Sequence, residues 1–329
     1  MNKKRWIATG VFAAIVMMQI FLLPITVGSL FPGTTDPIRD HITLYQEGKE
    51  DGIAYLRLDG IILNIGESPF SVPGYQHRRF LRQLEVAFSD PRYKAVVLYV
   101  NSPGGGIYES DEIYQTIKEL QEEHNKPYVV YMSRIAASGG YYVSAPADAI
   151  VANRNTITGS IGVVISGLNV SELLERYGIR DQTISSGENK TILSPYQEMR
   201  PDQRSIIQSI IDESYGYFVD VVAEGRGMDT EEVLSLADGR IYSGQQALDL
   251  GLVDQLGSLD TAFSLAAEKA GISDPNIYQF RNQPAGLMLR LFAAVPGAGH
   301  FFDHPLQPMI TEIIRQDTEG PRPMYLYEW

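Results

Sequence analysis

Hydrophobic residues along the chain form continuous apolar runs that alternate with stretches in which they recur at helical spacing. Continuous runs predict strands that are covered on both faces, because a half-exposed strand alternates apolar and polar residues. The alternation of the two patterns predicts a β-α-β-α order, and therefore an α/β sheet covered by helices. In chain order the predicted elements are a strand at 53–58, a helix at 75–88, a strand at 95–100, a helix at 108–124 and strands at 128–132 and 149–151.

Three further helices are predicted in the second half of the chain. Pro201 suits the first turn of a helix, and apolar residues at helical spacing continue from there to about residue 224. Shorter helices are predicted at 230–236 and 259–270, and the apolar residues at 61–63 predict a hairpin partner for the first strand. No internal repeat is apparent in the sequence, so these elements predict a single α/β unit.

The N-terminal segment predicts a membrane anchor. Lys3, Lys4 and Arg5 precede a stretch without charged residues from Trp6 to Phe31, which exceeds the ~20 residues that span a bilayer as a helix. The basic tip marks the cytoplasmic side. A cleavable signal peptide is the alternative, although its apolar core is usually ~7–15 residues long and ends in a small-x-small site. Both interpretations place the rest of the chain outside the cytoplasm.

Composition narrows the chemistry. The 329 residues include no cysteine, which excludes disulfides, thiolate catalysis and cysteine-ligated metals. No cofactor or metal is expected. The formal net charge of −13 excludes nucleic acid and anionic lipid headgroups as expected partners, because the surface repels polyanions.

Polarity divides the chain into four predicted parts. Residues 1–31 are the tip and the transmembrane signal-anchor, and residues 32–50 are a polar, turn-rich stalk. Residues 51–275 are the domain of alternating strands and helices, and residues 276–329 are a mixed apolar and Pro/Gly tail. For the tail, packing on the domain is expected ahead of contact with the membrane or entry into an active site as a pseudo-substrate.

Ser138 is the strongest nucleophile candidate. It follows the predicted strand at 128–132 in the sequence Ala-Ala-Ser-Gly-Gly-Tyr-Tyr, where small residues let backbone and substrate approach one hydroxyl. The turn opens a predicted helix, whose first N–H groups suit a developing anion, as acyl transfer requires. The alternative is a packing serine at a helix start.

A serine nucleophile needs a base, and lysine is better placed than histidine. No histidine lies in 126–298, whereas Lys190 is the one lysine in 128–267. A lysine accepts a proton only when burial disfavours its charged form, and the alternative is a solvated surface charge. Ser160, in Thr-Gly-Ser-Ile-Gly, is a candidate hydroxyl for orienting the neutral amine, with a simple turn serine as the alternative.

Acyl transfer also requires donors to the oxyanion. The sequence Asn-Ser-Pro-Gly-Gly-Gly at 101–106 follows a predicted strand and precedes a helix. Its glycines allow a backbone N–H to point into a site. A phosphate-binding loop is the rival interpretation, but neither G-x-x-x-x-G-K-[ST] nor G-x-G-x-x-G occurs there.

Together these segments resemble the signal peptide peptidase family SppA of membrane-anchored bacterial Ser/Lys proteases. The resemblance covers about residues 50–272 and rests on the ordered set of segments, because each segment alone is modest. The matching segments are the N-terminal anchor, 101–110, 136–142, 158–162, Lys190 with Ser194-Pro195, and 240–254.

The resemblance implies a role for each candidate residue. It makes Ser138 the nucleophile and Lys190 the general base, with Ser160 orienting the lysine. Gly105 becomes an oxyanion-hole donor, and Gly139 is a second candidate donor. The resemblance also implies a Clp protease/crotonase-like α/β unit. In short members of the family such units form a ring or dome, in which serine and lysine come from neighbouring subunits and the long helix contributes to the interface.

The expected function is that of a membrane-anchored serine endopeptidase that hydrolyses short apolar peptides, such as signal-peptide remnants, outside the cytoplasm. Apolar specificity is implied by the resemblance alone. Two other functions fit the same fold: a crotonase-type acyl-CoA enzyme and a non-catalytic membrane scaffold. The first needs coenzyme A, which an exported domain does not meet. The second predicts that Ser138 is not labelled by an acylating reagent.

Overall fold

A nine-stranded sheet organises the residues that the computed structural model describes, namely 38, 41–64, 75–281 and 324–326. A smaller sheet of two strands joins a glycine segment to residues near the C-terminus. In chain order the strands are β1 (Ile42–Gln46), β2 (Glu50–Asp59), β3 (Tyr93–Ser102), β4 (Gly104–Gly106), β5 (Tyr128–Ala137), β6 (Ala149–Ala152), β7 (Ile157–Gly159), β8 (Ile241–Ser243), β9 (Gln255–Leu256), β10 (Pro275–Phe280) and β11 (Met324–Leu326). The helices are α1 (His77–Ser89), α2 (Ile107–His124), α3 (Gly139–Tyr142), α4 (Ser171–Arg176), α5 (Pro201–Arg226), α6 (Thr230–Leu236), α7 (Gly244–Asp249) and α8 (Leu259–Ala270).

Parallel pairing dominates the large sheet. Strands β10, β2, β3, β5, β6 and β9 lie side by side in that order and run parallel, and β1 pairs antiparallel with β10 at one edge. The second half of β5 pairs with β7, which in turn pairs antiparallel with β8. Parallel neighbours need crossover connections, and helices on the faces of the sheet provide them.

The central strands are buried on both faces. Helix α8 covers one face, where Phe263 packs edge-to-face against Tyr55 of β2. Helix α1 covers the other face, where Phe88 contacts Tyr128 of β5. This double cover explains the continuous apolar runs, and it confirms the predicted α/β fold with a helix-covered sheet.

The helices follow the predicted bounds closely, whereas the strands run longer. Helices α6 and α8 have the predicted limits, and α5 ends at Arg226. Strand β5 continues past the apolar run to Ala137 because its second half, interrupted by the polar residues Ser133 and Arg134, pairs with β7 instead of β6. Periodicity detects the fully buried half of such a strand and misses the other half.

The predicted hairpin at 61–63 is wrong. Gly60 turns the chain with a φ of 90°, and Ile62 then pairs parallel with Gly105 instead of antiparallel with β2. The apolar character of the segment reflects complete burial of Ile62 against this partner. The glycine segment itself is an extended strand, β4, and not an open loop.

The two sheets include residues on both sides of the predicted domain at 51–275. Strand β1 lies within the stretch predicted as a stalk, and β11 and most of β10 lie within the predicted tail. The described residues from Ile42 onward belong to one compact unit. The predicted anchor at 1–31 falls outside the described residues, and none of the described helices is long and apolar enough to cross a bilayer.

Candidate active site

Three candidate segments leave the sheet at the carboxyl ends of neighbouring strands. The end of β3 lies opposite Ala136 of β5, and Ala137 lies opposite Gly159 of β7. The glycine strand β4 follows β3, Ser138 follows β5, and Ser160 follows β7. Ligands of open α/β sheets bind at this edge. The topology therefore brings three of the segments singled out in the sequence to one place.

Ser138 is held in a sparsely populated backbone conformation. Its φ of 54° and ψ of −120° fall in a region that costs a non-glycine residue about 1–3 kcal/mol. Hydrogen bonds fix the residue on both sides. Its N–H donates to the Gly159 carbonyl at 2.8 Å, and its carbonyl accepts from the N–H groups of Tyr141 and Tyr142 at 2.8 and 2.9 Å. The side chain is thus aimed by both the sheet and α3.

The Ser138 hydroxyl is buried without a partner. The residue is 1% exposed, and its Oγ makes no hydrogen bond to any residue that the structure describes. Burying a hydroxyl without a hydrogen bond costs about 1–3 kcal/mol of folding free energy. Such a group in a folded protein calls for an explanation, and a catalytic role is one. Ser144, six residues later, behaves as a packing serine and donates to the Gly140 carbonyl at 2.7 Å. The contrast favours a nucleophile at position 138.

Close backbone approach requires glycine in the nucleophile turn. A β-carbon on Gly140 would lie 2.8 Å from the Ser102 carbonyl oxygen, so α3 reaches the end of β3 only with glycine there. Gly139 is the first residue of α3, and its N–H therefore has no acceptor within the helix. This is the property that the predicted second oxyanion donor needs.

The glycine strand is braced along one edge by Ile62. The Ile62 N–H donates to the Gly104 carbonyl at 2.9 Å, and the Ile62 carbonyl accepts from the Gly106 N–H at 2.8 Å. Backbone groups point to alternate edges along a strand. The N–H and C=O of Gly105 therefore face away from Ile62, toward the opposite edge of β4.

An extended segment lies along that opposite edge. Strand β11 runs antiparallel to β4 with Tyr325 opposite Gly105. On its other side, Met324 exchanges backbone hydrogen bonds of 3.0 and 3.1 Å with Val164. Peptides commonly bind proteins in this way, as an added strand held by backbone edges. These three residues of the tail thus pack on the domain, along the edge of the glycine strand.

A substitution of Gly105 by Ala tests the glycine strand. Its methyl group would overlap the Ile62 carbonyl, which forces β4 away from its brace. Loss of one oxyanion donor typically lowers kcat by ~10²–10³, and we expect a loss of that order in peptide hydrolysis by Gly105→Ala. Gly216→Ala, where the methyl group meets open space, is the matched control. Wild-type turnover in the Gly105 variant would exclude the donor role.

Ser160 lies next to the residue that binds the nucleophile's backbone. Gly159 accepts the Ser138 N–H, and the Ser160 N–H donates to the Arg240 carbonyl at 2.8 Å. The φ of Ser160 is 52°, so this turn, like the one at Ser138, is fixed by its surroundings. Ser160 is thus one residue from the backbone partner of Ser138, and its role in orienting a lysine stays a prediction.

A cavity of about 520 Å³ opens beside Ser160. Its lining includes the apolar side chains of Val164 and Ile211 and the carboxylate of Asp238. A hydrogen-bonded ion pair with Arg240 lowers the pKa of Asp238 to about 2, so this carboxylate stays ionised while its charge is compensated. Asp212 also lines the cavity, so its walls combine apolar and acidic residues next to the candidate site.

Lys190 lies on a segment that packs little against its own chain. None of residues 162–200 is buried, and Lys190 is exposed. Its amine is not within hydrogen-bond distance of the Ser138 Oγ, which has no partner among the described residues. Large apolar side chains on this segment are also exposed, by 74% at Leu168 and 97% at Ile184. A single chain therefore brings Ser138 together with Gly105 and Ser160 but leaves Lys190 apart.

A larger cavity, of about 1240 Å³, lies at the amino ends of the strands. Two ion pairs lie in its lining, Lys118 with Glu224 at 2.7 Å and Arg226 with Asp254 at 2.5 Å. Ser138 is not among its lining residues. Size alone thus does not mark the site in this fold.

Two parts of the site were missed at the level of sequence. The apolar residues around Ile62 predict a hairpin. Their position between Gly60 and a polar stretch is also compatible with the single bridge to Gly105 that the structure shows. Strand β11 has no periodicity, because three residues are too short to show any. The sequence indicates this strand only through three apolar residues near the end of a Pro/Gly-rich tail.

Family models match the region that carries these segments. The model of peptidase family S49 matches residues 120–273, and the Clp protease model matches residues 73–158. The two stretches overlap at 120–158, which contains the Ser138 turn. The Clp protease match agrees with the mixed α/β sheet described above.

Similar proteins extend the comparison over most of the chain. A protein of Enterococcus faecium named "Putative signal peptide peptidase SppA" is 39% identical over 301 residues, which cover 87% of each chain. A protein of Synechocystis sp. named as a protease is 46% identical over 187 residues, or 57% of this chain and 66% of the relative. The chloroplastic serine protease SPPA of Arabidopsis thaliana is 34% identical over 233 residues, or 70% of this chain and 34% of the relative. The chain therefore belongs to the SppA family of serine peptidases, within peptidase family S49.

Proposed function

We propose that this protein is a membrane-anchored endopeptidase in which Ser138 and Lys190 form a catalytic dyad that hydrolyses short apolar peptides such as signal-peptide remnants. One observation carries the proposal: the buried Ser138 hydroxyl, which has no hydrogen-bond partner among the described residues, lies at the same sheet edge as a glycine strand that pairs with an extended segment. A nucleophile and a backbone edge for the substrate are thus combined, as peptide-bond hydrolysis requires.

The reaction follows from the roles of these groups. The neutral Lys190 amine takes the proton of the Ser138 hydroxyl as Oγ attacks the carbonyl carbon of the scissile peptide. The N–H groups of Gly105 and Gly139 stabilise the resulting oxyanion. Collapse breaks the C–N bond, and the lysine ammonium returns its proton to the leaving amine. Water, deprotonated by the lysine, then attacks the acyl-enzyme. The C–Oγ bond breaks, the ammonium returns its proton to the Ser138 Oγ, and the acid product is released.

The base is supplied by a neighbouring copy of the chain in this proposal. The exposed apolar side chains of residues 162–200 favour burial against another surface. Burial in such an interface disfavours the charged form of an amine, and only an uncharged amine can accept a proton. The cavity beside Ser160 offers space for an incoming side chain, and the Ser160 hydroxyl is suited to orient the amine there.

Substrates bind as an added strand between β4 and the segment at Val164. Backbone pairing of this kind is indifferent to side chains, so selection rests on the walls of the site. The apolar side chains of Val164 and Ile211 favour apolar peptides. The basic tip and the apolar stretch to Phe31 hold the domain at the membrane surface outside the cytoplasm, where remnants of exported proteins are released.

A serine-reactive phosphonate probe tests this function directly. We expect the intact, assembled protein to be labelled on the peptide that contains Ser138, and labelling to abolish cleavage of an apolar model peptide in proportion to its extent. The activated hydroxyl reacts because base and oxyanion donors both act on it. Assembled protein that neither reacts at Ser138 nor cleaves peptides would favour the scaffold alternative.

Removal of the C-terminal residues is expected to relieve competition for the substrate edge. Residues 324–326 occupy the side of β4 to which the proposed substrate binds. Only molecules in which this side is free can bind the substrate, so the apparent affinity falls in proportion to their fraction. A chain that ends at residue 323 should show a several-fold lower KM with unchanged kcat. A chain that ends at residue 326 keeps the paired strand and is the control. Equal KM values in both would show that the strand does not compete.

A further inference from the structure

We propose that Glu109 is a positioning residue that holds the glycine strand, and through it the N–H of Gly105, in place for the oxyanion. This inference rests on the proposed peptidase function. Glu109 does not touch the reacting atoms in this role and acts through the backbone of β4.

The Glu109 side chain folds back from α2 onto both flanks of the glycine strand. The residue is 6% exposed. Its Oε1 accepts the Asn64 N–H at 3.2 Å, and its Oε2 occupies the place that a β-carbon on Gly106 would take. The carboxylate thus lies between the end of β4 and the segment that runs beside it.

That neighbouring segment sets the position of Gly105. Ile62 makes the two backbone hydrogen bonds, to Gly104 and from Gly106, that bracket Gly105 on its outer edge. Asn64, two residues later, is bound by the carboxylate. Glu109 lies in the first turn of α2, which follows β4 directly. Its side chain therefore connects both β4 and the segment from Ile62 to Asn64 to the same helix.

A carboxylate is a costly choice for a purely structural contact here. Burying an ionised group is unfavourable unless hydrogen bonds and nearby positive potential compensate for lost water. The first turn of α2 supplies such potential, and a charged acceptor binds the Asn64 N–H more strongly than a neutral one. A strong, directional tie is the property that a catalytic strand needs.

Catalysis is more sensitive to a shift of β4 than substrate binding is. Oxyanion donors act at about 2.7–3.1 Å from the oxygen, and a displacement of about 1 Å can reduce the rate by ~10². Pairing of a peptide along a strand edge is distributed over several hydrogen bonds. We therefore expect loss of the Glu109 tie to lower kcat more than it raises KM.

Steady-state hydrolysis of an apolar peptide by the full-length, assembled protein tests this inference. Glu109→Ala should lower kcat by about 10–100-fold with KM changed less than threefold. Glu109→Gln keeps an acceptor for Asn64 without the charge, and it should lower kcat by only about three- to tenfold. Glu119→Ala removes an exposed carboxylate from the same helix and should behave as wild type. If the Ala variant does not fold, the Gln variant alone decides.

A second measurement separates positioning from a structural role. A peptide aldehyde forms a tetrahedral adduct with Ser138, so its affinity should fall by the same factor as kcat/KM. The affinity of a cleaved product peptide should stay within threefold. Unchanged kcat in both folded variants, or a loss found only in thermal stability, overturns the inference while leaving the peptidase intact. An inactive wild type overturns the proposed function instead.

Discussion

Ser138→Ala is expected to reduce peptide hydrolysis by at least ~10³-fold without destabilising the fold, since removal of a catalytic serine also removes the acyl-enzyme route. The Oγ makes no hydrogen bond within the described part of the chain, so its removal breaks no contact there. Elimination of a buried, unpartnered hydroxyl is neutral or stabilising. The measurements are turnover of an apolar peptide and the thermal midpoint of the same preparation.

Ser144→Ala is the matched control for this experiment. It removes a buried hydroxyl that does have a partner, the Gly140 carbonyl at 2.7 Å. We expect this control to lose about 0.5–1.5 kcal/mol of stability while it keeps peptidase activity. A Ser138 variant that retains substantial turnover, or one that is destabilised more than the control, would contradict the role of a nucleophile that makes no structural contact.

Lys190→Ala is expected to be as inactive as Ser138→Ala near neutral pH, because no other group in the proposed mechanism accepts the serine proton. Since this lysine is exposed, its loss should not alter stability of the single chain. Lys269→Ala removes an equally exposed charge from α8 and is the control. Full activity of the Lys190 variant would show that another base serves Ser138.

Mixing the two inactive variants distinguishes a dyad shared between copies from one within a chain. In a head-to-tail ring of randomly mixed subunits, about a quarter of the sites combine an intact serine with an intact lysine from the next copy. Co-expressed Ser138→Ala and Lys190→Ala chains should therefore recover activity of that order. A mixture that assembles but stays inactive would place both groups in one chain.

Local sequence patterns predict the elements of this fold because the buried face of a helix or strand requires apolar residues at a regular spacing. Helix α8 has the predicted limits, since its Ala and Phe residues face the sheet at helical spacing. The hairpin at Ile62 failed for the opposite reason. Its partner, Gly105, lies beyond a whole helix and strand, and an apolar residue carries no record of which distant strand it meets.

The sequence predicts those parts of the site that depend on residues adjacent in the chain. Small residues around Ser138 indicate a sharp turn, and the structure holds that residue at a positive φ. The contact between Glu109 and Asn64 joins residues far apart in sequence, with no pattern to link them. In the proposed mechanism Lys190 acts as a base only when another copy of the chain buries it, so neither its sequence context nor its surroundings in a single chain reveal that role.

The exposed character of residues 162–200 has a consequence for when the protein becomes active. In the proposed mechanism the sheet of one molecule positions the nucleophile and the oxyanion donors. The base lies on an exposed segment and acts on the serine of a second copy. A newly made copy is then inert until a neighbouring copy supplies the base. Local density in the plane of the membrane becomes the trigger, which confines proteolysis to places where several copies have gathered.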